Sequence, residues 1–319
     1  MPDLAAFHFP LEPFDALLAS LGWPDRERWL QAWQQRGGDR LAAEAWHRTP
    51  SSEWIWGLAL PLLTQIETLA RAPQRSLLGL SAIPATGKTT LCRWLKAAAQ
   101  QIGIQIDAIS IDDFYRASPD LEASMRGNPW GVARGLPGSH EIDRMLQCIA
   151  DWREGRPVSV PIFDKTLRGG RGDRAGFRPL QGRVLLVDGW FLGVPADRPG
   201  ADPHPPGAAI RPQMPPLNDA ERLYRPTVLE RLKAYEPLWR ELDLLWRIQP
   251  IDLAATAVWK QQQTSFTLPK PQADQFIRMI LCSIPHDHWD WIPSTVNALI
   301  DAQRSIHRIG PVACRPAAA

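Results

Sequence analysis

Ser76-Leu77-Leu78-Gly79-Leu80-Ser81-Ala82-Ile83-Pro84-Ala85-Thr86-Gly87-Lys88-Thr89-Thr90 is the stretch whose reading decides the fold. It begins as a short apolar run and ends in a turn, which suits a strand buried on both faces. A helix with Leu91, Trp94 and Leu95 on one side follows. A strand, a loop closing on Gly-Lys-Thr and a helix make the setting of a phosphate-binding loop. Backbone N–H groups and the helix N-terminus surround an anion, Lys88 reaches the β/γ-phosphates, and Thr89 holds Mg²⁺. The expected nucleotide residues are therefore Thr86, Gly87, Lys88, Thr89 and Thr90. The motif departs from its usual form. Ala82 stands at the first glycine position, Ala85 replaces another common glycine, and Pro84 lacks a donor N–H. An ordinary strand–helix turn is the alternative.

Outward from this stretch, further strands alternate with helices. Ile104 to Ile111 reads as a second strand, Val184-Leu185-Leu186-Val187 as a third, and Leu244-Leu245-Trp246-Arg247-Ile248 as a fourth. Ser139 is placed to cap a helix carrying Ile142, Met145, Leu146, Ile149 and Trp152. The alternation predicts an α/β fold: a doubly wound parallel sheet of P-loop NTPase type. Residues 1–72 read as an N-terminal helical extension. Leu11, Phe14, Leu17 and Leu18 recur at helical spacing, as do Ile55, Leu58, Leu62, Ile66 and Leu69, with Pro61 splitting the second set. A kinase-sized domain is expected over 73–310, mostly helical from 218 to 309, with a Pro-rich surface insertion at about 195–217. A disordered tail is expected over 311–319.

Composition narrows the partners. The 36 basic and 34 acidic residues leave a net charge of +2, so the whole chain makes no case for nucleic acid or an anionic membrane. Met1-Pro2-Asp3-Leu4-Ala5 has no basic region followed by an apolar run, and no long uncharged apolar stretch occurs. Neither a signal peptide nor a membrane span is expected, and the expected setting is cytoplasmic. Cys92, Cys148, Cys282 and Cys314 lie far apart, without zinc spacing, and read as reduced thiols. The 15 Trp residues are scattered singly and read as packing residues.

Carboxylates mark the strand ends. The second strand runs into Ser110-Ile111-Asp112-Asp113-Phe114-Tyr115, and ligands of doubly wound sheets bind beyond such carboxyl ends. Asp112 is the candidate base for an attacking hydroxyl, although a strand-end Asp also serves as a turn cap. The third strand ends at Asp188-Gly189-Trp190, where a Mg²⁺-side carboxylate is expected; a plain Asp-Gly turn is the alternative. Arg134-Gly135-Leu136-Pro137-Gly138-Ser139-His140 forms a turn and a helix start suited to a carboxylate or phosphate. Phe163 to Arg174 reads as a flexible cationic loop, able to close over ATP or to remain a solvated surface loop.

Taken in order, these motifs resemble one family. The Gly-Lys-Thr loop, Ser110 to Tyr115, Asn128-Pro129, Arg134 to His140, Pro161-Ile162-Phe163-Asp164-Lys165, Gly169 to Arg174 and Val187-Asp188-Gly189-Trp190 look like D-glycerate 3-kinase of the plant and cyanobacterial type. That family belongs with the phosphoribulokinase, uridine kinase and pantothenate kinase group. The resemblance is dense over 76–194 and continues more loosely to Trp259-Lys260-Gln261-Gln262. It implies ATP and Mg²⁺ as co-substrate and metal, and D-glycerate as the acceptor. It implies that Lys88 and Asp112 act in catalysis, that Thr89 and Asp188 hold the metal, and that Arg171 and Arg174 are lid cations. Asp112, Tyr115, Arg134, His140 and Lys165 would bind the acceptor. A place in photorespiratory carbon salvage is implied by the family alone. Other acceptors of the group, and a non-catalytic nucleotide-binding protein, remain open alternatives.

Overall fold

Residues 7–46, 48–197, 215–262 and 269–312 are described in the computed structural model. The amphipathic helices α1 (Leu11–Ser20) and α2 (Arg26–Gln35) open the chain, and Asp25 caps α2 by accepting from the Arg28 N–H. Ser51 caps the short α3 (Ser52–Trp54), which runs through a π-turn at Ile55–Ala59 into α4 (Leu60–Arg71). Pro61 sits in the first turn of α4, where its missing N–H costs nothing, and the π-turn absorbs the break expected there.

The central chain then alternates. β1 (Ser76–Ala82) leads into α5 (Lys88–Gln101), followed by β2 (Ile106–Ser110), α6 (Asp120–Met125) and α7 (Ile142–Arg153). A hairpin of β3 (Ser159–Asp164) and β4 (Asp173–Pro179) precedes β5 (Val184–Gly189). After residues 198–214 come α8 (Asp219–Leu232), α9 (Glu236–Glu241), β6 (Leu244–Pro250), α10 (Ala255–Gln261) and α11 (Lys270–Cys282). β7 (Val296–Ile300) and β8 (Ile306–Pro311) close the described chain.

Six strands form one sheet in the order β2-β5-β1-β6-β7-β8, all parallel except β8, which runs antiparallel to β7. The doubly wound parallel sheet is thus present. β1 is fully buried because helices cover both of its faces. Its register sets Ser110 beside Asp188 and Ser81 beside Gly189, so the carboxyl ends of β1, β2 and β5 share one edge. One buried cluster runs from Phe14 and Trp29 through Leu77 and Val187 to Ile309, joining the N-terminal helices to the sheet.

Four expectations are corrected. The mostly helical reading of 218–309 missed β7 and β8, whose residues are short, mixed in polarity and hard to separate from loop. The cationic segment Phe163 to Arg174 is a loop over 165–172, but its two ends, Phe163-Asp164 and Asp173-Arg174, are paired residues of the β3–β4 hairpin. The second strand is shorter than expected, and Asp112 lies just past it in a 3-10 turn, Ile111–Phe114. Ser139 does not cap α7; its hydroxyl donates to the Leu136 carbonyl. Most of the Pro-rich segment and residues 313–319 of the tail lie outside the described residues, while Pro311 belongs to β8. Cys92, Cys148 and Cys282 are free thiols. Among the described residues no helix is long and apolar enough to cross a membrane.

Candidate active site

A cleft of about 1230 Å³ opens at the carboxyl edge of the sheet. One end is the loop between β1 and α5. Gly87 has φ 112°, a conformation glycine adopts without strain, and it turns the chain into α5. Ala82 needs no such freedom, because it is the last residue of β1 and pairs with Ile248. Ala85 does: its φ is 65°. The Thr86 hydroxyl is buried and donates to the Ile83 carbonyl at 2.5 Å, so Thr86 shapes the loop through its side chain. Lys88 folds back across the loop and donates to the same carbonyl at 3.2 Å. Burial lowers its pKa, while Asp188 and Asp112 pull the other way. Thr89 and Thr90 line the cleft at the head of α5. Arg304, from the turn between β7 and β8, donates to the carbonyls of Ala85 (3.1 Å) and Thr86 (3.2 Å) and braces the loop from behind.

Asp188 stands opposite on β5. Burial raises its pKa to about 6, against the pull of Lys88. The Ser110 hydroxyl lies 3.3 Å from its Oδ1. A hydroxyl at Thr89 and one buried carboxylate, with other positions left to phosphate and water, suit Mg²⁺, which seldom uses a full protein cage. Among the described residues no cluster of three or more His, Cys, Asp or Glu competes for a metal.

Asp112 stands near Lys88 and Asp188, and its charge acts on both. The two aspartates of the turn divide the work. Asp113 accepts from the Ser110 N–H at 3.0 Å and faces Arg178 at 3.3 Å, closing a capping box. Asp112 is left to face the cleft, where Lys165 of the hairpin holds its Oδ2 at 2.7 Å. His140 Nε2 lies 3.7 Å from Oδ1, an electrostatic contact too long for a hydrogen bond. Burial opposes its charge, but Lys165 and His140 outweigh burial and hold the carboxyl well below the usual range. Tyr115 stacks on His140 with ring centroids 4.4 Å apart.

The remaining cations divide. Arg134 spends two bonds of 2.7 Å on the carbonyls of Gly170 and Arg171 and so holds the hairpin tip. Arg171 and Arg168 pair with Glu122 of α6 at 3.1 and 2.9 Å. Arg174 does not face the cleft: it pairs with Glu141 at 2.9 Å and donates to the Tyr115 carbonyl. Sequence reasoning missed Arg304 and Lys260. Lys260 lines the cleft 5.3 Å above the Phe276 ring, and burial, with Lys165 and Arg134 nearby, lowers its pKa to about 8. Arg304 lies in no recognisable local motif; Lys260 falls in Trp259-Lys260-Gln261-Gln262, where the resemblance ends, but that stretch alone gave it no role.

No family model matches the chain. An uncharacterized kinase of Schizosaccharomyces pombe is 25% identical over 199 residues, 59% of this chain and 69% of that protein. The chloroplastic D-glycerate 3-kinase of Arabidopsis thaliana is 33% identical over 135 residues, 38% of this chain but only 30% of that protein. The solved D-glycerate 3-kinase of Cryptococcus neoformans var. grubii superposes with a TM-score of 0.59 at 20% identity, covering 80% of this chain and 97% of the other. The resemblance read from the motif order is borne out: the chain is similar to kinases in sequence and shares the fold of P-loop kinases.

Proposed function

We propose that the protein transfers the γ-phosphate of ATP to the 3-hydroxyl of D-glycerate, giving 3-phosphoglycerate and ADP. One observation carries the reading. A phosphate loop with Lys88 and Asp188, and an ionised Asp112 set among cations, line one cleft close enough to act on one another electrostatically.

We assign the roles from the chemistry of these residues. The N–H groups of 86–90 and the Lys88 ammonium bind the phosphates. Thr89 and Asp188 would hold Mg²⁺, which when bound offsets charge on the β- and γ-phosphate oxygens. Lys165, Lys260 and Arg134 set three cations beside Asp112 and Asp188, a field that draws an acidic acceptor. The acceptor O–H proton passes to Asp112, the oxygen forms its bond to the γ-phosphorus, and the bond to the bridging oxygen breaks to release ADP. A carboxylate with so low a pKa is a weak base, so its main work is to orient the hydroxyl. The likeness to the Arabidopsis and Cryptococcus enzymes supports D-glycerate as the acceptor. The chain's match spans 30% of the Arabidopsis protein, so this assignment is our reading of the acceptor site.

The second reading is a P-loop kinase for another small metabolite such as a nucleoside, favoured by 27% identity over 180 residues to a putative uridine kinase of Schizosaccharomyces pombe. ADP release from ATP·Mg²⁺ with D-glycerate, L-glycerate, pantothenate and uridine, with the product identified, decides. Turnover with D-glycerate to 3-phosphoglycerate is expected. Turnover with another acceptor alone keeps the kinase and discards the substrate. ATP binding without transfer to any acceptor sinks the catalytic reading. Lys88→Ala and Asp112→Asn are each expected to lose about 10²-fold or more in kcat while folding normally; near-normal turnover in either removes its role.

A further inference from the structure

His140 lies within reach of Asp112 but makes no hydrogen bond through Nε2 among the described residues. What that nitrogen presents to the carboxylate depends on which ring nitrogen carries the proton. We propose that Tyr235 is a positioning residue whose hydroxyl fixes His140 as the neutral Nε2–H tautomer, so that a donor, and not a lone pair, faces Oδ1 of Asp112.

The argument is a proton count. The Tyr235 oxygen lies 2.9 Å from the Gly138 N–H and 2.7 Å from His140 Nδ1. The Gly138 amide can only donate, so the Tyr235 oxygen accepts there. The one phenolic proton is then left for Nδ1, which must accept it. The reverse arrangement puts a proton on Nδ1 and leaves the Tyr235 O–H beside Phe191 and Trp239, with no acceptor among the described residues. Ser139 Oγ is 3.4 Å from Nδ1, but its own proton goes to the Leu136 carbonyl at 2.5 Å. Ser139 therefore supplies no competing donor, and at 3.4 Å its oxygen is a poor acceptor beside the 2.7 Å contact to Tyr235. With Nδ1 accepting, the neutral ring carries its proton on Nε2.

Protonation states support the count. Burial lowers the His140 pKa, although Asp112 pulls it up, so the ring is neutral near pH 7. Burial also pushes the Tyr235 phenol up, so it keeps its proton. The backbone fixes the rest. Arg116 N–H donates to Ser139 O at 2.9 Å and Glu141 N–H donates to Phe114 O at 2.8 Å, which zips His140 to Tyr115 and stacks the rings. The stacking leaves a half-turn flip of the imidazole as the main ambiguity, and Tyr235 selects one side. Gly138 takes part because its φ of 92° and the close Arg231 side chain admit no Cβ without displacement. The consequence falls on Asp112. An Nε2 lone pair would repel Oδ1, whereas Nε2–H steadies the ionised carboxylate in the orientation its task requires.

The tautomer is read directly, independently of catalysis, by ¹⁵N–¹H correlation of the imidazole signals of the whole protein at pH 7.5, with His140→Asn identifying the His140 signals. We expect a neutral ring protonated at Nε2, with Nδ1 shifted as a hydrogen-bond acceptor. A ring protonated at Nδ1, or at both nitrogens, overturns the proposal. The effect on rate rests on the kinase reading. In Tyr235→Phe the acceptor shift at Nδ1 is expected to vanish and kcat to fall roughly tenfold, the scale of an outer hydrogen-bond partner, with KM for ATP unchanged. An unchanged Nδ1 signal, or wild-type kcat in that variant, overturns it. If the variant does not fold, the wild-type spectrum still decides. Failure of the kinase reading shows separately, as wild-type protein that phosphorylates no acceptor.

Discussion

Ala85 shows how a departure from a motif becomes a local free energy. Its φ of 65° is a left-handed conformation, which costs an L-residue about 1–2 kcal/mol. Glycine removes that strain but returns roughly 0.4–1 kcal/mol through the greater freedom of its unfolded chain. Ala85→Gly is therefore expected to stabilise the protein by about 0–1.6 kcal/mol, seen as a rise in the denaturant midpoint. A clear loss of stability would mean that the φ is not strained. Ala82 is the contrasting case, since the other missing glycine falls inside β1 and costs nothing. The sequence marks both positions as departures, but only the backbone distinguishes them. Lys260 carries the second prediction at this scale. Its pKa of about 8 leaves it charged below pH 8 and neutral above. KM for the acid acceptor is expected to rise as pH passes from 7 to 9, while KM for ATP stays flat. Lys260→Met should abolish that dependence and raise the acceptor KM roughly tenfold or more, as loss of a charge-assisted bond of about 1.5–3 kcal/mol implies. An acceptor KM that is flat with pH in the parent protein would remove Lys260 from the site.

Among the elements, the β3–β4 hairpin is where sequence and structure part most. β4 alternates Arg, Gly and an exposed Phe177, so no apolar stripe marks it as a strand, and its charges suggested a loop. Pairing with β3 makes it an arm that carries Lys165 to Asp112. Its tip is tied down at two places, by Arg134 through carbonyls and by Glu122 through Arg168 and Arg171. Exposed ion pairs hold weakly, so the Glu122 tie is the one expected to yield first. Glu122→Gln should raise amide hydrogen exchange a few-fold over residues 165–172 and leave β5 unchanged. Unchanged exchange at the tip would assign its order to Arg134 alone. The phosphate loop, Asp112 and Asp188 were legible because each follows an apolar strand at a fixed offset. Arg304 was not: it reaches the Thr86 carbonyl across 218 positions of sequence, and no local pattern records such a contact.

At the scale of the whole molecule, the first 72 residues bear on whether the kinase can stand without them. Their periodicity reads as a helical extension, yet their side chains are woven into the sheet domain. Within the segment, Trp29 and Trp33, one helical turn apart, both donate at 3.0 Å to the Thr64 hydroxyl, which donates in turn to Leu60 O and ties α2 to α4. Trp94 of α5 donates at 2.7 Å to Leu41 O, so the helix that begins at Lys88 is tied to the N-terminal segment. α1 packs on β8, and Trp46 and Arg48 line the same cleft as Lys88. Phe14, Leu17, Leu18, Trp29 and Trp33 are each almost fully buried. At about 1.5–3 kcal/mol apiece, these five alone match the net stability of about 5–15 kcal/mol that an ordinary domain has. A chain beginning at residue 73 is therefore expected to lack a cooperative thermal transition and to bind no ATP. The graded form of the same test is Phe14→Ala, which removes a buried ring packed edge-on against Phe9 and Trp29. It should cost about 3–5 kcal/mol and lower the Tm by several degrees, with kcat retained below the transition because Phe14 touches nothing in the cleft. A shortened chain that melts cooperatively and binds ATP would show that the sheet domain folds alone. The N-terminal helices would then serve the cleft through Trp46 and Arg48 and not through the stability of the fold.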